Sequence, residues 1–311
     1  MPPCCLVLYT VTMQRVHVIC GGVSAEREVS LRSGRAVAEA LAAKGYRVHT
    51  LDTTDPDERI AECDVVFPVL HGVGGEDGTF QARLEALGVC FVGSGSAASR
   101  LCMDKAAFRQ HMTSAGFGMA DGGPHTYEAY QSSPLAGAPH VIKPVDGGSS
   151  IDTLIIRDAA ARDETAIRDA FERHSHMLVE RLIVGDEITV GVLGDQALPV
   201  IEIIPPSDGE FDYTNKYNGH TQELCPPAHI SAAVQEAAQH LALRVHQAAG
   251  CRHLSRTDCI VDGGGQLYLL ETNTIPGMTA QSLYPKMAVT AGLDFPSLCA
   301  QLVGMALDTH R

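Results

Sequence analysis

The sequence predicts an open α/β unit at the N-terminus, followed by two strand-rich α+β regions. Three observations predict it. Short apolar strands alternate with a helical pattern up to about residue 90. Strand patterns then crowd residues 141–204, and a helix with a paired-strand pattern fills 231–271. A chain of 311 residues suits two or three domains of roughly 150 residues or fewer.

Each element has a reason. Val16 to Cys20 is a short apolar strand, broken by Gly21-Gly22, with Ser24 placed to cap a helix. From Glu28 to Ala43, Val29, Ala36, Val37, Ala40 and Leu41 recur at helical spacing. Tyr46 to Leu51 is a second strand. Asp64 to Leu70 is a third, and its unbroken hydrophobicity suits a parallel strand covered on both faces. A glycine-rich loop, His71 to Gly78, leads into a helix ending at Leu87, and such loops at strand C-termini are default ligand positions. One helix is expected from Ser96 to Ser114. Asp121 to Pro124 and Ser132 to Pro134 read as turns at a boundary. Strands are expected at Val141–Pro144, Thr153–Arg157, Met177–Leu182, Glu187–Leu193 and Leu198–Ile204, with a helix near Ala159–Arg173. A long loop over Pro205–Ala228 precedes a helix from Ser231 to Ala249, the strand pair Thr257–Val261 and Leu267–Glu271, and a helix from Phe295 to Leu307.

Composition removes several function classes. The net charge is −14, which repels nucleic acid and anionic membranes, so neither is an expected partner. Aromatics are only 5% and Trp is absent, so stacking platforms for single strands are not expected. No apolar run reaches the ~18 residues of a membrane span. Leu6 to Val11 is too short for the core of a signal peptide, and no basic residue precedes it. Residues 1–12 read as an extension outside the fold. The ten cysteines form no C-x-x-C pair and sit mostly among Val, Leu and Ile, as free thiols in a reducing cytosol do. The close spacing of a structural zinc site is missing.

The strand pair constrains chemistry most. If Asp262 and Leu267 close a four-residue turn, Asp258 faces Glu271 and Asn273 shares their side of the ladder. Facing carboxylates repel by roughly 0.2–1 kcal/mol. Two carboxylates and an amide oxygen are hard ligands that a divalent cation such as Mg²⁺ would satisfy. A solvated acidic face in another register is the other reading. Lys143-Pro144-Val145-Asp146-Gly147-Gly148-Ser149-Ser150 ends a strand in a Gly/Ser loop, which is a plain β-turn or an anion cradle. Glu26 is either a helix-capping acid or a carboxylate for a substrate ammonium. His71 either satisfies its own glycine loop or binds substrate.

Taken together, eight segments make the chain resemble the D-alanine–D-alanine ligases of the ATP-grasp superfamily. They are GGVSAEREVSLRSG (21–34), HGVGGEDGTFQ (71–81), VGSGSAASRLCMDK (92–105), KPVDGGSS (143–150), VERLIVGDEITV (179–190), FDYTNKY (211–217), RTDC (256–259) and ETNTIPGMTAQSLYP (271–285). The resemblance spans about Met13 to Leu307. It implies an ATP-grasp fold, with an N-terminal open α/β substrate domain over 13–100. A central lobe over 101–190 and a C-terminal lobe over 191–311 would enclose ATP.

The resemblance also implies a reaction. ATP phosphorylates one D-alanine, a second D-alanine attacks the acyl phosphate, and a dipeptide for peptidoglycan synthesis is released with ADP and phosphate. Lys105, Lys143, Ser150 and Lys216 would hold the phosphates. Glu180, Arg181 and Ile183 would line the adenine pocket, and Glu187 would bind ribose. Asp258, Glu271 and Asn273 match positions that hold two Mg²⁺ (or Mn²⁺) ions. Glu26 and His71 would meet the first D-alanine, and Arg256 and the Gly277 N–H would stabilise the oxyanion. Ser282 and Leu283 would hold the second D-alanine. Ser149 and Tyr217 would link Glu26 to a closing loop. A homodimer in the bacterial cytoplasm is implied as well.

The sequence departs from the family in three places. Ile151-Asp152 replaces a hydrophobic residue followed by glycine, Gly147 stands where relatives often have glutamate, and the 205–220 loop is about one residue shorter after Tyr217. Asp152 adds negative charge beside the anion loop and gives up some freedom at positive φ, although aspartate tolerates that region better than most residues. On this ground Asp152→Gly is expected to leave activity equal or higher. Tyr217 in N-K-Y favours the dipeptide product over ligases whose acceptor is D-lactate or D-serine. A nucleotide binder without turnover has only Asp152 in its favour.

Overall fold

The computed structural model describes residues 13–147, 152–206 and 221–310. Three sheets organise them. The first is parallel, in the order β2-β1-β3, built from β1 (Arg15–Ile19), β2 (Arg47–Leu51) and β3 (Val65–Pro68). Every residue of β3 is buried, as its continuous hydrophobicity requires. Helices α1 (Arg27–Ala43), α2 (Asp57–Ala61) and α3 (Thr79–Ala86) connect these strands and follow the last one.

The stretch 96–114 is two helices, α4 (Ser96–Met103) and α5 (Lys105–Ser114), not one. Asp104 breaks it: its backbone is extended, and its carboxylate accepts from the N–H groups of Ala106 and Ala107. An N-cap inside an apolar-periodic run stops one helix and starts the next. The break leaves Lys105 at the first turn of α5, where its N–H donates to the Val145 carbonyl at 2.8 Å.

The second sheet is antiparallel, in the order β4-β7-β5-β6, from β4 (Gly122–His125), β5 (His140–Pro144), β6 (Leu154–Ile156) and β7 (Met177–Arg181). The expected turn at 121–124 is therefore largely an edge strand, a place where Pro124 is tolerated. Helices α6 (Tyr127–Gln131) and α7 (Glu164–Arg173) accompany this sheet. Asp163 caps α7, and Ile167, Ala170 and Phe171 bury its apolar face.

The third sheet has the path β11-β10-β8-β12-β13. Its strands are β8 (Gly185–Leu193), β9 (Gln196–Ala197), which pairs β8 off the path, β10 (Ile201–Ile204), β11 (Gln222–Leu224), β12 (Leu254–Asp262) and β13 (Leu267–Asn273). The described end of the expected loop 205–228 thus includes a strand, β11. A cut at residue 190 falls inside β8, whose partners β10 and β12 belong to this sheet. Helix α8 (Ala232–Ala248) is capped by Ser231 and buries Ala238, Ala242 and Val245 at helical spacing. Helices α9 (Leu283–Thr290) and α10 (Phe295–His310) end the chain.

One core cluster joins the first and last parts of the chain. Val16, Phe67 and Val92 pack with Leu254, Met278, Tyr284 and Leu298. That shared core fixes the loops following β1 and β3 against β12 and the segment before α9. No described helix is long and apolar enough to cross a membrane. The eight described cysteines are free thiols, six of them buried.

Candidate functional site

Three structural units meet at the loops just fixed. Glu26 is the residue before α1, and its side chain makes no capping bond to that helix. Ser24 is not the cap either; its hydroxyl accepts from the Glu26 N–H and donates to the His71 carbonyl at 2.6 Å. The Glu26 carboxylate lies instead against the 71–78 loop. Gly72 has φ +70, and a Cβ there would stand 3.1 Å from Glu26 Oε2. Only glycine gives that turn and that approach.

His71 is buried, and its Nε2 has no hydrogen-bond partner among the described residues. Burial lowers its pKa below the ordinary value; Glu26 opposes the shift and Arg256 reinforces it. A buried ring nitrogen without a partner is an opening for a ligand. Glu76, which the motif contains but spacing did not single out, folds back on the same loop and accepts from the Gly72 N–H at 2.6 Å. Burial pushes the Glu76 carboxyl up to about 8, despite that bond, and Glu26 adds to the rise.

Arg256 on β12 meets this loop from the other side. Its Nε and Nη2 grip the two oxygens of Asp258 at 2.9 and 2.8 Å. Burial works against its charge, but Asp258 outweighs it, with Glu271 and Glu76 adding support, so its pKa rises. The Thr189 hydroxyl donates to Asp258 Oδ1 at 2.5 Å. Asp258 faces Glu271 across the β12–β13 ladder, and Arg256 faces Asn273. The expected pairing is present, although the turn that was to produce it is not. Val261 faces Leu267, which would set Asp258 opposite Leu270; a bulge at Leu270 moves Glu271 into place.

Glu271 Oε2 lies 3.8 Å from Lys105 Nζ, which also donates to the Gly147 carbonyl at 2.5 Å. The Asn273 side-chain oxygen accepts from the Ile275 N–H at 2.8 Å. No described group of three His, Cys, Asp or Glu could hold a metal. The two carboxylates and one amide oxygen nevertheless fit Mg²⁺ or Mn²⁺, which take hard oxygen donors and usually keep several waters. Asp258 Oδ1 already accepts from Arg256 and Thr189, while Oδ2, held by Arg256 alone, keeps a further lone pair for that purpose.

On the second sheet, Glu180 is buried between two cations, Arg109 Nη1 at 2.6 Å and Lys143 Nζ at 2.8 Å. Burial disfavours the charge of Lys143, but Glu180 and Glu271 override it and hold the ammonium above the ordinary lysine range. Arg109 also donates to the carbonyls of Gly122 and Ala120. A lone arginine on a helix gave no sequence signal of that clamp. Arg181 points away from this cluster, toward Asp121 at 3.5 Å and the Tyr268 ring. Glu187 lies on β8 opposite Ile203 and Ile260, and Ile183 lies between β7 and β8.

Beyond β13, Ser282 precedes α9 and Leu283 begins it. Ser282 Oγ accepts from the Thr279 N–H at 3.1 Å and sits 2.8 Å from the Thr279 hydroxyl. A Cβ on Gly277 would stand 2.9 Å from that oxygen, so the glycine keeps hydroxyl and backbone close together. The start of α9 is also the positive end of a helix, which favours an anion. Ser149, Ser150, Lys216 and Tyr217 lie outside the described residues.

Comparison with known proteins bears on the family and the fold. Residues 126–304 match the family model described as D-ala D-ala ligase C-terminus, and 49–94 match D-ala D-ala ligase N-terminus. A D-alanine–D-alanine ligase of Syntrophobacter fumaroxidans is 42% identical, over 94% of this chain and 97% of its own length. The crystal structure of the D-alanine–D-alanine ligase from Bacillus anthracis superposes with a TM-score of 0.84 at 31% identity, covering 96% of this chain and 98% of that one. The same enzyme complexed with ATP gives 0.81 at 29%, covering 96% and 98%.

Proposed function

Since the chain belongs to the D-alanine–D-alanine ligase family, it joins D-alanine to D-alanine at the expense of ATP, and we propose that Glu26, His71, Arg256, Gly277 and Ser282 form its acyl-transfer centre. The observation that carries this reading is Arg256. It is anchored on Asp258 of the C-terminal sheet and acts electrostatically on His71 and Glu76 of the N-terminal loop. Substrate held by that loop is therefore held beside the β12–β13 ladder.

The residues divide the work as follows. Glu26 receives the ammonium of the first D-alanine, with the unpartnered His71 nitrogen beside it. Arg256 and the Gly277 N–H face the oxygen that becomes negative as the second amine attacks; a preorganised donor of this kind contributes ~3 kcal/mol. Ser282, Leu283 and the start of α9 hold the carboxylate of the second D-alanine. Lys105, Lys143 and Lys216 neutralise the ATP phosphates, and Ser150 also binds ATP. Glu180, Arg181 and Ile183 line the adenine pocket, and Glu187 binds ribose. The present Lys143–Glu180 pair stores the phosphate lysine on the adenine carboxylate, so nucleotide entry exchanges one partner of each. By the family resemblance Ser149 and Tyr217, which lie outside the described residues, would serve the link to Glu26 that keeps water from the acyl phosphate.

Asp258, Glu271 and Asn273 would hold Mg²⁺ or Mn²⁺, in a site for two ions. Such ions offset charge on the transferred phosphoryl and on the attacking carboxylate. We further propose division near 100 and again before β8, a homodimer, and a role in peptidoglycan precursor synthesis in a bacterial cytoplasm.

The test is phosphate release with ATP and Mg²⁺ in the presence of D-alanine, L-alanine or no amino acid, with products weighed by mass spectrometry. D-Alanine-dependent release with D-alanyl-D-alanine formed is expected. Release that ignores D-alanine, or nucleotide binding without turnover, overturns the reading.

A further inference from the structure

We propose that Asp152 is a positioning residue for nucleotide binding, tying the C-terminal flank of the 143–152 segment to the end of helix α7. The inference rests on the reading that this segment serves ATP. Asp152 has φ +56, in the left-handed region that favours glycine. Among the described residues only His253 shares that conformation without being glycine. Strain of this kind persists where surrounding contacts hold it.

Arg173 and His174 supply those contacts. Asp152 Oδ1 accepts from Arg173 Nη2 at 2.8 Å; Oδ2 accepts from Arg173 Nε at 3.3 Å and from His174 Nε2 at 2.8 Å. Arg173 is the last residue of α7 and His174 is its C-cap. Positive side chains belong at that end of a helix, and a carboxylate gripping both completes a bond to a fixed element. The helix itself is held by Ile167, Ala170 and Phe171 in the core beneath the second sheet. Arg173 and His174 keep the Asp152 carboxyl below the ordinary aspartate range.

The other flank is held separately. Lys105 Nζ donates to the Gly147 carbonyl, and the Lys105 N–H donates to the Val145 carbonyl. The described residues on either side of 148–151 are therefore attached, Val145 and Gly147 to Lys105 of α5 and Asp152 to the end of α7. A glycine at 152 supplies the backbone conformation and no attachment. The charge that the sequence alone marks as a burden beside an anion loop is spent on Arg173 and His174.

The experiment is calorimetric titration of the full chain with a slowly hydrolysed ATP analogue and Mg²⁺, beside steady-state kinetics and thermal melting. Asp152→Asn keeps the tolerance for positive φ and removes the charge; Asp152→Gly removes the side chain and relieves the backbone. Both are expected to weaken analogue binding about threefold to tenfold, as for a multidentate, partly exposed charged contact. The loss should fall on KM for ATP rather than on kcat, with the melting temperature unchanged. Arg173→Ala should match them, and Asp152→Asn/Arg173→Ala should bind no worse than either single change. Wild-type affinity in Asp152→Gly, or full additivity in the double variant, overturns the proposal. Lys143→Ala separates the two layers. If it weakens binding while the Asp152 variants do not, the tether fails alone; if it too binds normally, the nucleotide reading of the segment fails with it.

Discussion

Asp258 and Glu271 face each other across β12 and β13 because Leu270 is an extra residue in the ladder. A regular hairpin closed by Val261 and Leu267 would set an apolar side chain there instead. Bulges re-aim side chains beside functional sites, and this one places two acids where each raises the free energy of the other. Arg256 and Lys105 offset part of that repulsion, and a divalent cation would offset the rest.

Glu271→Gln should therefore lower turnover by about a thousandfold or more, matching the several kcal/mol that a Lewis acid supplies. The variant should remain folded, since it loses one of two facing charges. Circular dichroism checks the fold, and Mn²⁺ titration by electron paramagnetic resonance checks the site. Wild-type Mn²⁺ affinity in the variant would remove Glu271 from the metal set.

Arg256→Lys keeps the charge and discards the fork that grips both Asp258 oxygens. Its kcat should fall by about a hundredfold to a thousandfold, the range for loss of one oxyanion donor. KM for ATP should move little. A large change in KM for ATP with kcat preserved would place Arg256 with the nucleotide.

The sequence told much of this, for identifiable reasons. Period-two and period-3.6 patterns located most strands and helices of the three sheets. Period cannot reveal the Asp104 break, because the side chain that caps α5 sits inside an apolar-periodic run. Gly122 to Pro124 reads as a turn by composition, yet pairing with β7 makes it an edge strand. Glu76 and Arg109 were illegible as site residues, since burial and the Gly72 and Glu180 contacts distinguish them and neither follows from spacing. Asp152 was legible as a departure, but its partners stand 21 and 22 residues further along the chain, at the end of α7, and only the fold brings them into contact.

Gly277→Ala should act on the acceptor. The new Cβ would stand 2.9 Å from Ser282 Oγ, so the hydroxyl must leave its place beside Thr279. A displacement of this size should raise KM for the second D-alanine about tenfold and lower kcat as well. Kinetics at saturating ATP, fitted with separate constants for the two D-alanines, would show it.

Glu76→Gln should change how stability responds to alkali. The folded carboxyl keeps its proton up to about 8, against an ordinary 4.5. Between those values the folded state binds more protons than the unfolded one, so stability falls as pH rises through that window. Glutamine does not ionise, so the variant should lose that slope and match or exceed the wild type above pH 8. Melting temperatures from pH 5 to 9 check this; parallel curves would mean that Glu76 is ionised in the fold.

His246 gives the opposite slope. It lies on the buried face of α8 against the Ser255 hydroxyl at 2.7 Å, and burial lowers its pKa from 6.5 to about 4. The unfolded chain protonates first as pH falls, so stability should decline from about 6.5 down to about 4. The loss from this residue reaches on the order of 3 kcal/mol at the low end. His246→Gln should flatten that acid limb while keeping a polar partner for Ser255. Denaturant midpoints at pH 4.5 and 7.5 measure the difference: the gap between them should shrink in the variant, and an unchanged gap would assign the acid sensitivity to other groups.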